Sequence, residues 1–493
     1  MIYNFNLGIG WASSGVEYAQ IYRARMFRNI GVDAKFVFTD MFPSENMEHM
    51  TKNIGFLDSE VIWLYTFFTD FKTAPVTYTL SDLEKTFTDL NYTKTREGKI
   101  CRYVFGGSNN FYTAYMVNDH DDFVHRVELV SNGFLIRKDY FTYGRVYSEY
   151  YAPLDNKAHL YHRRFFNENG SVAYEEIIDD DRVMYKFKDK ILCSKEEFVG
   201  YMVSQLHLTK DDVVLIDRST DIGQSIIMNC KPARVGTVVH ADHFSEKDTN
   251  EDYILWNNYY EYEFNMHKHI DFYICSTQAQ SDLMVQQFEK YYGVTPCVYT
   301  IPVGSLPELK YPKENRKPFS LITASRLASE KHVDWICKAV IQARSEVPEL
   351  SLDIYGEGGE KSKLETIIRD NHAQDYIHLM GQHDLSEVYQ NYEAYIAGST
   401  SEGFGLTLME AVGGGLPIIG FDVRYGNPTF IRNGENGYLI SLPEEDKDKI
   451  EALRKGIVDL FKQDLGKCHE VSYEVAKDFL TCNVQEKWRE AVC

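Results

Sequence analysis

The sequence predicts an α/β protein of two Rossmann-like domains, each a doubly wound parallel sheet, with an antiparallel β-meander inserted in the first. Three observations carry this. Short apolar runs alternate with helical segments near both ends of the chain, as in parallel sheets covered on both faces. Closely spaced strand-like runs separated by turn clusters fill the region between them. The chain has 493 residues, too many for a single core.

The elements follow in order. Ile2–Ile9 reads as a strand, Gly15–Ile30 as a helix, Ala34–Thr39 and Val61–Tyr65 as strands. The pattern resumes with Val213–Asp217, Val235–His240, Phe272–Ser276 and Val298–Ile301. Residues 1–71 and 196–304 are therefore assigned to one Rossmann-like domain. Between them, residues 72–195 carry runs such as Phe111–Val117, Phe123–Val130, Phe134–Tyr140, His159–Phe166 and Arg182–Phe187. Turn clusters such as Ser131-Asn132-Gly133 and Asn167-Glu168-Asn169-Gly170 separate them, which predicts successive hairpins. Eleven of the 35 tyrosines fall in residues 101–200. Packing on a half-buried sheet accounts for such enrichment, and so would a surface that docks a protein or peptide. Residues 305–318, polar and rich in Pro and Lys, read as a linker. A second α/β domain occupies 319–472, with strands near Phe319–Ala324, Ser351–Tyr355, Ile377–Met380, Tyr395–Ala397 and Pro417–Phe421. A helical stretch over 473–493 is expected to pack back on the first domain.

Composition narrows the function. Lys plus Arg number 52 against 73 Asp plus Glu, a net charge of -21, which argues against a broad nucleic-acid surface. The nine cysteines are scattered and form no C-x-x-C pair, as expected for a reducing cytoplasm. Met1–Asn6 lacks the basic and apolar regions of a signal peptide. No apolar run approaches the roughly 18 residues of a membrane span.

The stretch Ser399–Ala411 holds Glu402-Gly403-Phe404-Gly405 and, eight residues after Glu402, Glu410. It follows a strand and opens a helix. Glycines there let backbone approach a ligand, and two carboxylates suit sugar hydroxyls better than phosphate. With Glu410 placed about two turns into the helix, both can face one cleft. Upstream, Arg326 and Lys331 follow the first strand of the second domain and can converge on a diphosphate. Near the N-terminus, Gly8-Ile9-Gly10 through Gly15 joins a strand to a helix. Its third glycine falls five positions after the second rather than three, so a pyrophosphate-facing loop fits better than a dinucleotide fingerprint. His240-Ala241-Asp242-His243 ends a strand. A metal reading of it finds no clear third ligand, and one histidine facing a sugar is more economical.

Together these residues resemble the GT-B retaining glycosyltransferases of the glycogen-synthase-like group. The opening Asn6-Leu7-Gly8-Ile9-Gly10-Trp11-Ala12-Ser13-Ser14-Gly15-Val16-Glu17 and the inserted meander are similar to the catalytic subunits of accessory-Sec adhesin glycosyltransferases. The resemblance implies a GT-B fold and transfer of N-acetylglucosamine from UDP-N-acetylglucosamine to Ser/Thr of a serine-rich-repeat adhesin, beside a homologous non-catalytic subunit. It implies that Ser14, Gly15, Val16, Glu17, Arg326, Lys331, Gln382, His383 and Glu410 bind UDP. His240, Glu402, Gly403, Phe404 and Gly405 would hold the donor sugar, and His240, Arg326, Lys331 and Glu402 would be catalytic. Neither metal nor cofactor is expected. The meander would contact the partner and the acceptor, and the enzyme would be cytoplasmic or peripheral at the inner membrane face. Two other readings remain at this point: UDP-glucose or another UDP-sugar with a polysaccharide or lipid acceptor, and a non-enzymatic adhesin-binding scaffold.

Overall fold

The structure, a computed structural model, describes residues 1–9, 15–43, 45–88, 91–106, 109–155 and 157–493. The chain divides into two compact units: 1–24 with 32–237 and 258–271, and 25–31 with 238–257 and 272–493.

In the first unit, β1 (Ile2–Asn6), β2 (Ala34–Phe38) and β3 (Val61–Trp63) are parallel, as are β14 (Val213–Ile216) and the first four residues of β15 (Arg234–Val239). Their order is β15-β14-β1-β2-β3. β1 thus pairs Ile2 with both Val213 and Ala34. The order reverses between β1 and β14, which opens a crevice at their C-terminal ends where such sheets bind ligands. Ten strands, β4 (Tyr92–Glu97) to β13 (Ile191–Leu192), pair in strict succession as an antiparallel meander. Sequence reading located five of them and missed Tyr92–Glu97, Ile100–Phe105, Arg145–Leu154, Val172–Asp179 and Ile191–Leu192. The missed strands mix charged, aromatic and aliphatic residues without a strict alternation, so only pairing with their neighbours marks them as strands.

The meander buries its first strands against the helix Leu80–Glu84, with Cys101, Tyr103, Ala114 and Val127 in that core. Farther along, Phe165 and Tyr174 stack at 4.5 Å and Tyr185 and Phe198 at 4.0 Å. Tyr103, Tyr174 and Tyr185 are at most 1% exposed. For these the tyrosine enrichment is packing. Tyr143 and Tyr161 remain exposed.

In the second unit, β18 (Phe272–Cys275) and β19 (Val298–Thr300) are parallel, and a two-stranded hairpin joins β16 (Phe244–Ser245) to β17 (Leu255–Trp256). Its main sheet contains β20 (Ser320–Ala324), β21 (Ser351–Tyr355), β22 (Ile377–Gly381), β23 (Ala394–Ile396), β24 (Ile418–Phe421) and β25 (Gly437–Ile440). The order is β22-β21-β20-β23-β24-β25, all parallel. Here the reversal lies between β20 and β23, so the loops after these two strands border the crevice.

The segment read as a linker is packed. Leu306 is 7% exposed and bridges Leu480, and Arg316 donates to the carbonyls of Gln390, Tyr392 and Gly414, each at 2.9 Å. Buried carbonyls need donors, and a guanidinium supplies several at once. The same Leu306 divides the last helical stretch into Leu465–Lys477 and Thr481–Val492, because its backbone bonds to Phe479 and Thr481. Within the second unit, Trp488 of the final helix meets the edge of Phe27 at 5.3 Å.

Candidate functional site

The loops after β20 and β21 are locked together. Ser325 N–H donates to Tyr355 O at 3.1 Å, Leu327 N–H to Glu357 O at 3.0 Å, and Glu360 N–H to Leu327 O at 3.1 Å. A Cβ on Gly356, whose φ is +130°, would stand 1.9 Å from Ser325 O, so only glycine fits. Sequence reading passed over this Gly356-Glu357-Gly358-Gly359 loop. Its signal was available: three glycines directly after a strand.

The loop after β23 carries Glu402. Glu402 N–H donates to Arg424 O at 3.1 Å, and its carbonyl accepts from Tyr425 N–H at 2.5 Å and Gly426 N–H at 2.7 Å. Gly405, with φ +88°, starts the helix Leu406–Gly413. Phe404 lies 6% exposed with its ring 5.3 Å from Phe430, in the core. Its side chain is thus an anchor and leaves only backbone to face a sugar. Glu410 is the fifth residue of the helix, a little over one turn in rather than two. It accepts from Tyr389 OH at 3.0 Å, and burial raises its carboxyl above the usual range.

The two cations part company. Lys331 ends a 3-10 turn and donates to Glu402 Oε2 at 2.6 Å, each side chain 21% exposed. Arg326 is 74% exposed and pairs with Glu330 at 2.9 Å instead. Each cation is engaged by its own carboxylate, and the expected convergence is not the arrangement seen. Gln382 and His383 are exposed after β22, and His383 Nε2 lies 2.8 Å from Met380 O.

His240 follows β15 within the second unit. A Cβ on Gly403 would sit 3.7 Å from its carbonyl, so the Glu402 loop runs alongside it. Two residues on, Asp242 Oδ1 accepts from Tyr425 OH at 2.5 Å. His243 is fully buried between Tyr425 OH at 3.2 Å and Gln287 Oε1 at 2.7 Å. Burial pushes its pKa down to about 4, so it is neutral and structural. Tyr425 thus ties Glu402 through its backbone to Asp242 through its hydroxyl. Nothing in the sequence marked it.

In the first unit, Gly15 opens the helix Gly15–Ile30, and among the described residues no atom lies within 4 Å of a would-be Cβ. Val16 is 7% exposed and Glu17 3% exposed, with Arg218 Nη1 3.5 Å from the Glu17 carboxylate. Their side chains face inward rather than toward a ligand. Below them Arg23 forms a buried bidentate pair with Asp217 at 2.7 and 2.8 Å, joined by Gln20. Gly10–Ser14, including the predicted contact Ser14, lie outside the described residues. Among the described residues no group of three or more His, Cys, Asp or Glu could hold a metal ion.

Comparison with known proteins sets this geometry in a family. The chain is 52% identical to the UDP-N-acetylglucosamine–peptide N-acetylglucosaminyltransferase GtfA subunit of Streptococcus agalactiae, over 99% of this chain and 97% of the relative. The chain belongs to the GtfA family. The GtfA subunit of Limosilactobacillus reuteri subsp. suis is 43% identical over 100% and 98% of the two chains. Residues 93–189 match the GtfA extended beta-sheet domain, and residues 308–477 match glycosyl transferases group 1. A solved GtfA/B complex aligns at TM-score 0.96 and 52% identity, covering 100% of this chain and 99% of that one. The pneumococcal O-GlcNAc transferase GtfA, solved with UDP and GlcNAc, aligns at TM-score 0.86 and 50% identity, covering 100% and 98%. The fold is GT-B, and as a member of the GtfA family this chain is a glycosyltransferase.

Proposed function

We infer that this chain transfers N-acetylglucosamine from UDP-N-acetylglucosamine to Ser/Thr hydroxyls of a serine-rich adhesin polypeptide, with retention at the anomeric carbon. The observation that carries this is the Lys331–Glu402 pair at the reversal point between β20 and β23. It stands in a chain about half identical to a GtfA solved with UDP and GlcNAc.

In this reading Glu402 accepts hydrogen bonds from sugar hydroxyls, with the Gly403–Gly405 backbone beside it. Lys331 holds Glu402 in place and offsets charge developing on the departing diphosphate. Arg326 joins it there. Its pair with Glu330 is an exposed contact worth about 0.2–1 kcal/mol, so exchanging it for a phosphate costs little. These cations take the part a metal plays elsewhere, and the reaction needs none. Glu410 receives the ribose, and Gln382 and His383 border the base. Gly15 approaches the diphosphate, and His240 contacts the transferred sugar.

The chain works with a homologous non-catalytic subunit, a reading supported by the solved GtfA/B complex of similar structure. The meander presents exposed Phe134, Leu154, Val172 and Ile191, and serves partner and acceptor contact. Among the described residues no helix is long and apolar enough to cross a membrane. The enzyme acts in the cytoplasm, and any membrane attachment comes through its partner.

The test is incubation with UDP-N-acetylglucosamine or UDP-glucose and a Ser/Thr-rich peptide, with and without the partner, read by mass. Addition of N-acetylhexosamine is expected. Addition of hexose would reassign the donor, and no addition by the complex would overturn the reading.

A further inference from the structure

A cavity of about 360 Å³ lies within the second unit, and Glu402 and its loop are not among the residues that line it. The start of the helix Gln278–Tyr292, the short helix Gly426–Phe430 and the two C-terminal helices enclose it. Ser276 lines it, is 7% exposed, and has no hydrogen-bond partner among the described residues. Its hydroxyl opens onto the cavity, where it can donate to an anion. Beside it, Thr277 caps the helix by accepting from Gln280 N–H at 3.2 Å. The first-turn amides of Gln278 and Ala279 have no intrahelical acceptor and favour an anion.

Two cations face the same space. Lys487 has no ion-pair partner among the described residues, and Arg432 has a single long contact of 3.5 Å to exposed Glu474. One carboxylate, Asp478, also lines the cavity. We propose that this cavity binds a phosphate group, either as free phosphate or as a phosphomonoester. Arg432, Lys487, Ser276 and the helix start hold the phosphate oxygens. Asp478 repels free phosphate, and accepts from the hydroxyls of a phosphorylated sugar.

The test uses the full chain saturated with UDP, so that the donor site is occupied. Calorimetry then follows inorganic phosphate in one series and N-acetylglucosamine 6-phosphate in another. One further site is expected, weakened at least tenfold in Arg432→Gln and in Lys487→Gln and more modestly in Ser276→Ala. Both cationic side chains are partly exposed, so these variants should fold, as circular dichroism will check. Asp478→Asn should tighten inorganic phosphate and weaken the sugar phosphate if the phosphomonoester is the occupant, and leave their ranking unchanged if free phosphate is. No binding in the presence of UDP, or affinities in Arg432→Gln and Lys487→Gln within twofold of the parent, would overturn the proposal.

Discussion

Lys331 Nζ lies 2.6 Å from Glu402 Oε2, joining the loop after β20 to the loop after β23 across the reversal of the sheet. The ion pair sets the carboxylate's position before any donor arrives. Preorganisation of this kind is what lets a charged pair act on a transition state without first reorganising.

Glu402→Gln keeps the shape and removes the charge. Transfer to peptide should fall about 10²–10³-fold, the scale of losing one such contact, with the melting temperature shifted little. A steady-state assay beside a thermal scan checks both. Parent-like activity would remove Glu402 from the site.

Tyr425→Phe deletes the hydroxyl that meets Asp242 and His243 and leaves its backbone bond to Glu402. Leaving polar groups unsatisfied there should cost about 1–3 kcal/mol in urea unfolding. If Tyr425 positions the loop, kcat should fall more than the donor KM rises. A stability loss with unchanged kinetics would make it merely structural.

Glycine substitutions separate packing from ligand approach. A Cβ on Gly426 would come 2.2 Å from Phe404 O, so Gly426→Ala should destabilise by about 1–3 kcal/mol and lower transfer. No described residue comes within 4 Å of a Cβ on Gly15, so Gly15→Ala should leave stability unchanged. If its activity nevertheless drops, the backbone there touches the donor, and an unchanged KM and kcat would argue that it does not.

Two buried groups give opposite pH signatures. His243 titrates near 4 when folded and near 6.5 unfolded. Its neutral form is favoured by the fold, so the contribution is complete above pH 6.5 and is lost as pH falls toward 4. It amounts to about 3 kcal/mol. His243→Gln should flatten that part of a stability–pH curve. Glu410 has a raised pKa, so the native state keeps its proton longer and stability falls as pH rises through the carboxylate range. Glu410→Gln should remove that fall, and weaken UDP about ten- to a hundredfold through loss of a charged acceptor. UDP affinity unchanged in this variant would take the ribose away from Glu410.

The sequence by itself determined the alternation of strands and helices in both α/β halves, the meander, and the loops on which Glu402, Arg326 and Lys331 sit. Such features follow from hydrophobic period and from glycine, which act over a few residues. Tertiary structure alone decided which groups meet. It gave Lys331 to Glu402 and Arg326 to Glu330, turned Phe404 and Glu17 inward, and packed the predicted linker through Leu306 and Arg316. It also recruited Tyr425, 183 residues from Asp242, to brace the loop. Pairing at such separation depends on strand order and on the desolvation of each polar group, and neither is encoded in local spacing.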